Sequence, residues 1–187
     1  MHHFIFSRGP IKLYPLPGTE EYVAKVARWL AGNLLKEAEK QKADLAEILY
    51  LDEDEIVELD KHLGNREDTL EFIVNTLTGH FDYFAHRNGA MEVSLKESSR
   101  KKDVFIFPTF SPANVVDYNK KEVTLSLSDQ EILLYNTLDA FLEAKCDSIR
   151  IFELNLGQAR SDRPKDAEAV TFEHSSATSL QTVPITL

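Results

Sequence analysis

Cysteine is nearly absent: Cys146 stands alone in 187 residues, which excludes an intrachain disulfide and any zinc centre built on paired cysteines. Basic residues are also in short supply. Lysine and arginine number 21 against 31 acids, a formal charge of −10, so the chain lacks the excess of cations with which a general nucleic-acid binder displaces counterions. No apolar run reaches the length of a membrane span. The first residues lack a basic stretch leading into a long apolar one with a small-residue cleavage site, so no secretory signal is expected and the cytoplasm is the expected compartment. His62, His80 and His86 occur without an HExxH or paired-cysteine context, so no metal site is expected from them. The acidic run Asp52–Glu55 lacks the glycine of a calcium-binding loop, since Val57 stands at its sixth position, and reads as a solvated helix start.

What the chain does have is the composition of a globular domain, 43% hydrophobic and 28% charged, long enough for one sizeable core. An initial strand is expected at Phe4–Phe6 or Ile11–Tyr14, then a helix from Glu20 to about Lys42 with Thr19 as N-cap. Val23, Ala27, Leu30 and Leu34 recur there at helical spacing, and Trp29 is expected in the packing. Asp52 with Glu55 forms a capping-box pattern ahead of one further helix, and Asn65 opens another that ends by Gly79. Met91, Val93 and Leu95 alternate as a half-buried strand should. An apolar strand at Val104–Phe107 follows, then a polar stretch at 115–127 expected to be a loop or short hairpin. Ser128 with Glu131 is a second capping-box pattern, opening a helix over 129–145 that is apolar nearly all round and therefore well buried. Cys146, at its apolar end, reads as a small buried hydrophobe.

The segment 149–165 then begins as a strand over 149–156, breaks at Gly157 and continues as a charged loop containing Arg160, Ser161, Asp162, Arg163 and Lys165. The strands 104–107 and 149–156 with the helix between them form a βαβ unit, which implies parallel pairing and a right-handed crossover. Ligands of open α/β sheets sit outside the carboxyl ends of the strands, and guanidinium groups in such a loop suit phosphate or a purine face. The last residues, 166–187, show little periodicity and read as a poorly specified tail.

Two segments in this order, ESSRKKDVFIF (Glu97–Phe107) and LNLGQARSDRPK (Leu154–Lys165), resemble the ribose-phosphate pyrophosphokinases (phosphoribosyl pyrophosphate synthetases). The first is similar to that family's ESVRGxDVxIx entry into a core strand, the second to its strand followed by YARQDRK. Similarity covers about 92–165. It implies an α/β, phosphoribosyltransferase-like N-terminal domain over 1–165, with a mostly parallel sheet and an inserted helical region at about 36–80. It also implies an ATP site. The nucleotide-contacting arginine of the ARQD loop falls on Arg160, Ser161 replaces its glutamine, and Asp162 and Arg163 keep the acid and base that follow. The family's FSDGE-type loop corresponds to 84–90, matching at Phe84 and at Asn88-Gly89, with Ala90 where a glutamate is expected.

The family transfers a diphosphoryl group from magnesium-ATP to ribose 5-phosphate, and it assembles into oligomers. Its Asp-Leu-His metal motif, its flexible lysine/arginine loop and its ribose-phosphate loop are absent from these 187 residues. The expectation is therefore a nucleotide-binding half of such an enzyme, incomplete and inactive alone, with no catalytic or metal-ligating residue of its own. The alternative is a non-catalytic regulatory or structural subunit that associates through this domain, as a homo-oligomer or with a family subunit. Neither nucleic acid nor membrane is an expected partner.

Overall fold

The computed structural model describes residues 9–85, 91–111, 113–116 and 122–154. The first half of the described chain runs β1 (Ile11–Pro15), α1 (Glu20–Gln41), α2 (Leu45–Leu49), α3 (Glu53–His62) and α4 (Arg66–Leu77). The second half runs β2 (Phe81–Ala85), β3 (Met91–Leu95), β4 (Asp103–Phe107), β5 (Ala113–Val116), β6 (Glu122–Leu125), α5 (Leu127–Glu143) and β7 (Ser148–Ile151). Among the described residues the architecture is mixed α/β: a three-stranded parallel sheet in the order β1-β4-β7, two antiparallel hairpins (β2-β3 and β5-β6), and five helices. Among the described residues no helix is long and apolar enough to cross a membrane.

The helix ends follow from local chemistry. Asp52 and Glu55 close a reciprocal capping box at α3, each side chain accepting the other residue's backbone N–H, so two otherwise orphaned donors are satisfied. Asn65 caps α4 by accepting from the Glu67 N–H. At α5 the capping box is Ser126 with Asp129, two residues before the Ser128–Glu131 pair that the pattern suggests. Both pairs have the required spacing. Ser126 wins because it directly follows β6, where the backbone is still extended, as an N-cap requires.

Strand alternation sends successive side chains to opposite faces, and the two faces carry different partners. Val104 and Ile106 of β4, Ile149 and Ile151 of β7 and Tyr14 of β1 meet α5 through Leu133, Leu134, Leu138 and Phe141. The ring of Phe141 lies 4.6 Å from that of Tyr14. Full burial of a side chain of this size contributes about 2–3 kcal/mol, which makes this the principal core. On the other face Leu13 and Phe107 pack against Val23 and Ala27 of α1. Behind them α1 and α4 form a helical layer through Ala31, Leu35, Ile73 and Leu77, closed by Leu49 of α2.

The order of connections places a switch point between β1 and β4. Leu13 pairs with Phe105 on one edge, while its other edge forms a parallel bridge to Thr78, just after α4. The chain thus leaves β1 in one direction over the α1/α4 face, and leaves β4 in the other over the α5 face. Helices on opposite faces are what right-handed crossovers require when the chain departs in opposite directions. The β4-α5-β7 unit matches the βαβ expectation, with Val104 opposite Ile149 and Ile106 opposite Ile151.

Some local expectations are met and others change. Of the two candidate first strands, 11–15 forms one, and Phe4–Phe6 lies outside the described residues. Residues 81–85, unassigned from sequence, form β2, whose alternation is blurred by three aromatics in five positions. Trp29 is 71% exposed, because the packed stripe of α1 runs through Val23, Ala27, Ala31 and Leu35 and residue 29 falls on the outer flank. The strand expected at 149–156 is paired as β7 only to Ile151. Phe152 and Leu154 still donate backbone N–H groups to the Ile106 and Pro108 carbonyls, at 2.8 and 3.1 Å, while 155 and 156 lie outside the described residues. Cys146, expected to be buried, is half-buried against the α5 core, and burial pushes its thiol up from the ordinary value.

Candidate functional site at the carboxyl ends of the sheet

At a switch point the loops leaving two neighbouring strands diverge, opening a crevice at their carboxyl ends. The corresponding position, where such a crevice would open, lies between the turn after β1 (16–19) and the segment after β4 (108–111). Thr19 ties the two together. Its hydroxyl lies 2.8 Å from both the Leu16 and the Phe107 carbonyl oxygens, and the Leu16 N–H donates to the same Phe107 carbonyl at 3.2 Å. Thr19 occupies the N-cap position of α1 but makes no side-chain cap bond; its one proton is used on the strand ends instead. Gly18 has φ of +90°, a region costly to residues with a Cβ. A methyl there would stand 3.3 Å from Thr109 Cγ2 and 3.4 Å from Ala113 Cβ, so the β1 turn packs closely on the β4 segment. The Gly18 N–H donates to Glu20 at 2.8 Å. On the far side the Gln130 amide donates to the Ser111 carbonyl, anchoring the β4 segment to α5.

Beside this crevice the chain continues past β7. Phe152 stacks on Phe107 and Phe105, at centroid distances of 5.5 and 5.9 Å, and the Arg150 guanidinium lies 5.0 Å over the Phe105 ring. Tyr22 of α1 extends the series at 6.3 Å from Phe107. Burial raises the carboxyl of Glu153 above its ordinary value. The segments 16–20, 108–111 and 152–154 contain carboxylates, hydroxyls and aromatic rings but no lysine or arginine. Phosphate charge would therefore need cations from elsewhere.

Of the residues expected to contact nucleotide, Phe84 is described. It sits in β2, half-buried, opposite Glu92 of β3. Its neighbour Tyr83 is held above its ordinary value first by burial and then by the nearby Glu20 carboxylate. Arg160, Ser161, Asp162, Arg163 and Asn88 lie outside the described residues. Among the described residues there is no group of three or more His, Cys, Asp or Glu placed to hold a metal ion. Magnesium bound with a nucleotide is held chiefly by phosphate oxygens and water, so a metal arriving with ATP does not demand such a group.

The opposite, amino end of the sheet holds a cavity of about 700 Å³. Lys12, 8% exposed, meets Glu97 at 2.8 Å, and Lys102 meets the same carboxylate at 3.0 Å. Burial opposes the charge of Glu97, but hydrogen bonds from the two lysines outweigh it and leave the carboxyl below its ordinary value. For Lys12 the balance is reversed: deeper burial outweighs the attraction of Glu97 and lowers the ammonium from its ordinary value. In the sequence, a lysine between Ile11 and Leu13 in a strand and the basic run Arg100-Lys101-Lys102 ahead of Val104 are the signals of this cluster. The crevice residues Thr19 and Gly18 were visible only as turn and cap signals.

No known family model matches the chain, and no curated protein matches it.

Proposed function

We propose that this chain is a nucleotide-binding domain of the ribose-phosphate pyrophosphokinase kind, with a phosphoribosyltransferase-like fold, and that it takes magnesium-ATP at the carboxyl ends of β1, β4 and β7. The observation that carries this reading is the parallel β4-α5-β7 unit next to β1, whose two edges meet β4 and, through one bridge, Thr78. In sequence, the arginine-bearing ARSDR segment begins five residues after Leu154. In this reading Arg160 and Arg163 supply phosphate and base contacts, Asp162 orients them, and Ser161, Phe84 and Asn88 border the base. The reaction implied is diphosphoryl transfer to ribose 5-phosphate, in nucleotide biosynthesis. Such transfer depends on positioning and on cations that neutralise charge spreading over the phosphates. The motifs that supply this in the family are missing from these residues, so the purified chain is expected to bind but not to turn over.

The test is calorimetric titration with magnesium-ATP, comparing wild type with Arg160→Ala. Loss of one charge-assisted arginine contact should weaken binding about tenfold or more. Absence of heat from wild type at millimolar ATP removes the binding claim, and phosphoribosyl pyrophosphate formation by the purified chain removes the half-enzyme claim. A second reading, a non-catalytic subunit that associates through this domain, is favoured by Val57 and Leu63 of the helical layer, 59% and 53% exposed. Their acidic neighbours Glu53, Asp54 and Glu58 would then ring an apolar contact. Sedimentation of the chain alone and with a full-length pyrophosphokinase tests that reading, and a monomer in both mixtures counts against it.

A further inference from the structure

The cavity at the amino end of the sheet has two walls of opposite charge. The strand wall carries Lys12, Lys102 and Arg100 against the single carboxylate Glu97. The helical wall carries Glu47, Asp52 and Glu55, none of which forms an ion pair within 4.0 Å of the lysines and arginines among the described residues. Asp52 and Glu55 are engaged only as acceptors of backbone N–H groups in their capping box, which leaves each carboxylate with further acceptor capacity. The lining also includes the apolar Leu34, Ile48, Leu49 and Leu77 and the polar Gln41, Thr76 and Ser98.

The wall charges do not cancel by direct contact, although Glu55 is near enough to favour the charge on Lys12. Lys12 is fixed by its place in β1 and by Glu97, and Lys102 by the start of β4, so neither can cross to the helical side without leaving the sheet. A gap between a strand wall that Glu97 neutralises only in part and a negative helical wall is matched by a ligand that carries both charges itself. A singly charged ligand would meet one favourable wall and one repulsive one. The volume, about 700 Å³, is in the range of small-molecule sites, which are mostly apolar with a few placed polar groups.

We propose that this cavity binds a small zwitterion with an apolar body, its carboxylate directed to Lys12 and Lys102 and its ammonium to Asp52 and Glu55. The site lies at the opposite end of the sheet from the crevice, so it does not depend on the nucleotide reading. The test is an NMR titration of the full chain with 6-aminohexanoate, and separately with hexanoate, hexylamine and inorganic phosphate. 6-Aminohexanoate should give saturable shifts at residues 10–12, 47–55 and 97–102. Each singly charged analogue forfeits one charge-assisted contact and should bind about tenfold or more weakly.

Glu55→Gln keeps the capping box, in which glutamine also serves, and should reduce the preference for 6-aminohexanoate over hexanoate, with Asp52 retaining part of it. Lys102→Met should likewise reduce the preference over hexylamine. Circular dichroism of both variants should match wild type. No saturable shift with the wild-type chain overturns the proposal. So does equal binding of hexanoate or phosphate, or an undiminished preference in folded Glu55→Gln.

Discussion

Replacing Thr19 tests whether the two strand ends at the switch point are held by this hydroxyl or by an ordinary helix cap. The side chain is 1% exposed and its oxygen stands 2.8 Å from two carbonyl oxygens. A hydroxyl has one proton, so only one of these is a hydrogen bond at any instant. Each carbonyl keeps another partner: Phe107 accepts from the Leu16 N–H at 3.2 Å, and Leu16 from the Thr19 N–H at 3.0 Å. Thr19→Val, close in shape, should therefore lose about 1–2 kcal/mol, one buried hydrogen bond without a wholly orphaned acceptor. Thr19→Ser keeps the proton and should lose only about 1 kcal/mol for the buried methyl. Thr19→Asp separates the two accounts. As an N-cap, aspartate is equal or better; facing two carbonyl oxygens, a buried carboxylate has nothing to donate and should destabilise by about 3 kcal/mol or more. Urea unfolding at neutral pH reads these differences, and about 2–4 °C of melting temperature per kcal/mol is expected for a chain of this size. An aspartate variant as stable as wild type, or a valine variant within about 0.3 kcal/mol of it, would refute the latch.

Three further outcomes follow from the packing and the charges. Gly79→Ala would place a methyl 2.3 Å from ring carbons of the fully buried Tyr14, and the resulting overpacking should cost about 3 kcal/mol in urea unfolding. Glu97, whose carboxyl is held below its ordinary value of 4.5 by Lys12 and Lys102, contributes stability that is complete above pH 4.5 and lost as pH falls through its folded value. The stability gap between wild type and Glu97→Gln should accordingly be constant from pH 7 to 5 and close below pH 4.5; a gap that does not change with acid would contradict the cluster. Trp29, 71% exposed, should fluoresce as a water-exposed indole open to iodide quenching, and Trp29→Ala should change stability by less than about 0.5 kcal/mol.

The sequence was informative where one signal acted alone. The α1 span, the Asp52–Glu55 capping box, the Asn65 cap and the β4-α5-β7 unit each followed from local pattern, because periodicity and caps are short-range effects. It was misleading where tertiary context chose between equal local options. Ser126 and Ser128 are both plausible caps, and only the end of β6 decides between them. Trp29 reads as core by type, yet the rotation of α1 on the sheet turns it outward. The cluster of Lys12, Glu97 and Lys102 joins residues from β1 and from the segment before β4 that only the fold brings together. Of the crevice, the sequence showed the Pro-Gly turn and a threonine in cap position. That Thr19 bonds across to Phe107 depends on strand order, which no local pattern contains.

The central claim is that nucleotide sits at the carboxyl ends of the sheet. Hydrogen–deuterium exchange of the full chain with and without magnesium-ATP tests it most directly, because it maps where the ligand acts. The account predicts slowed exchange in peptides covering 16–20 and 107–111 and in those running from 152 through Arg163, with little change across 45–58 and 97–102. Protection confined to the latter two stretches, or no protection anywhere at millimolar nucleotide, would contradict it.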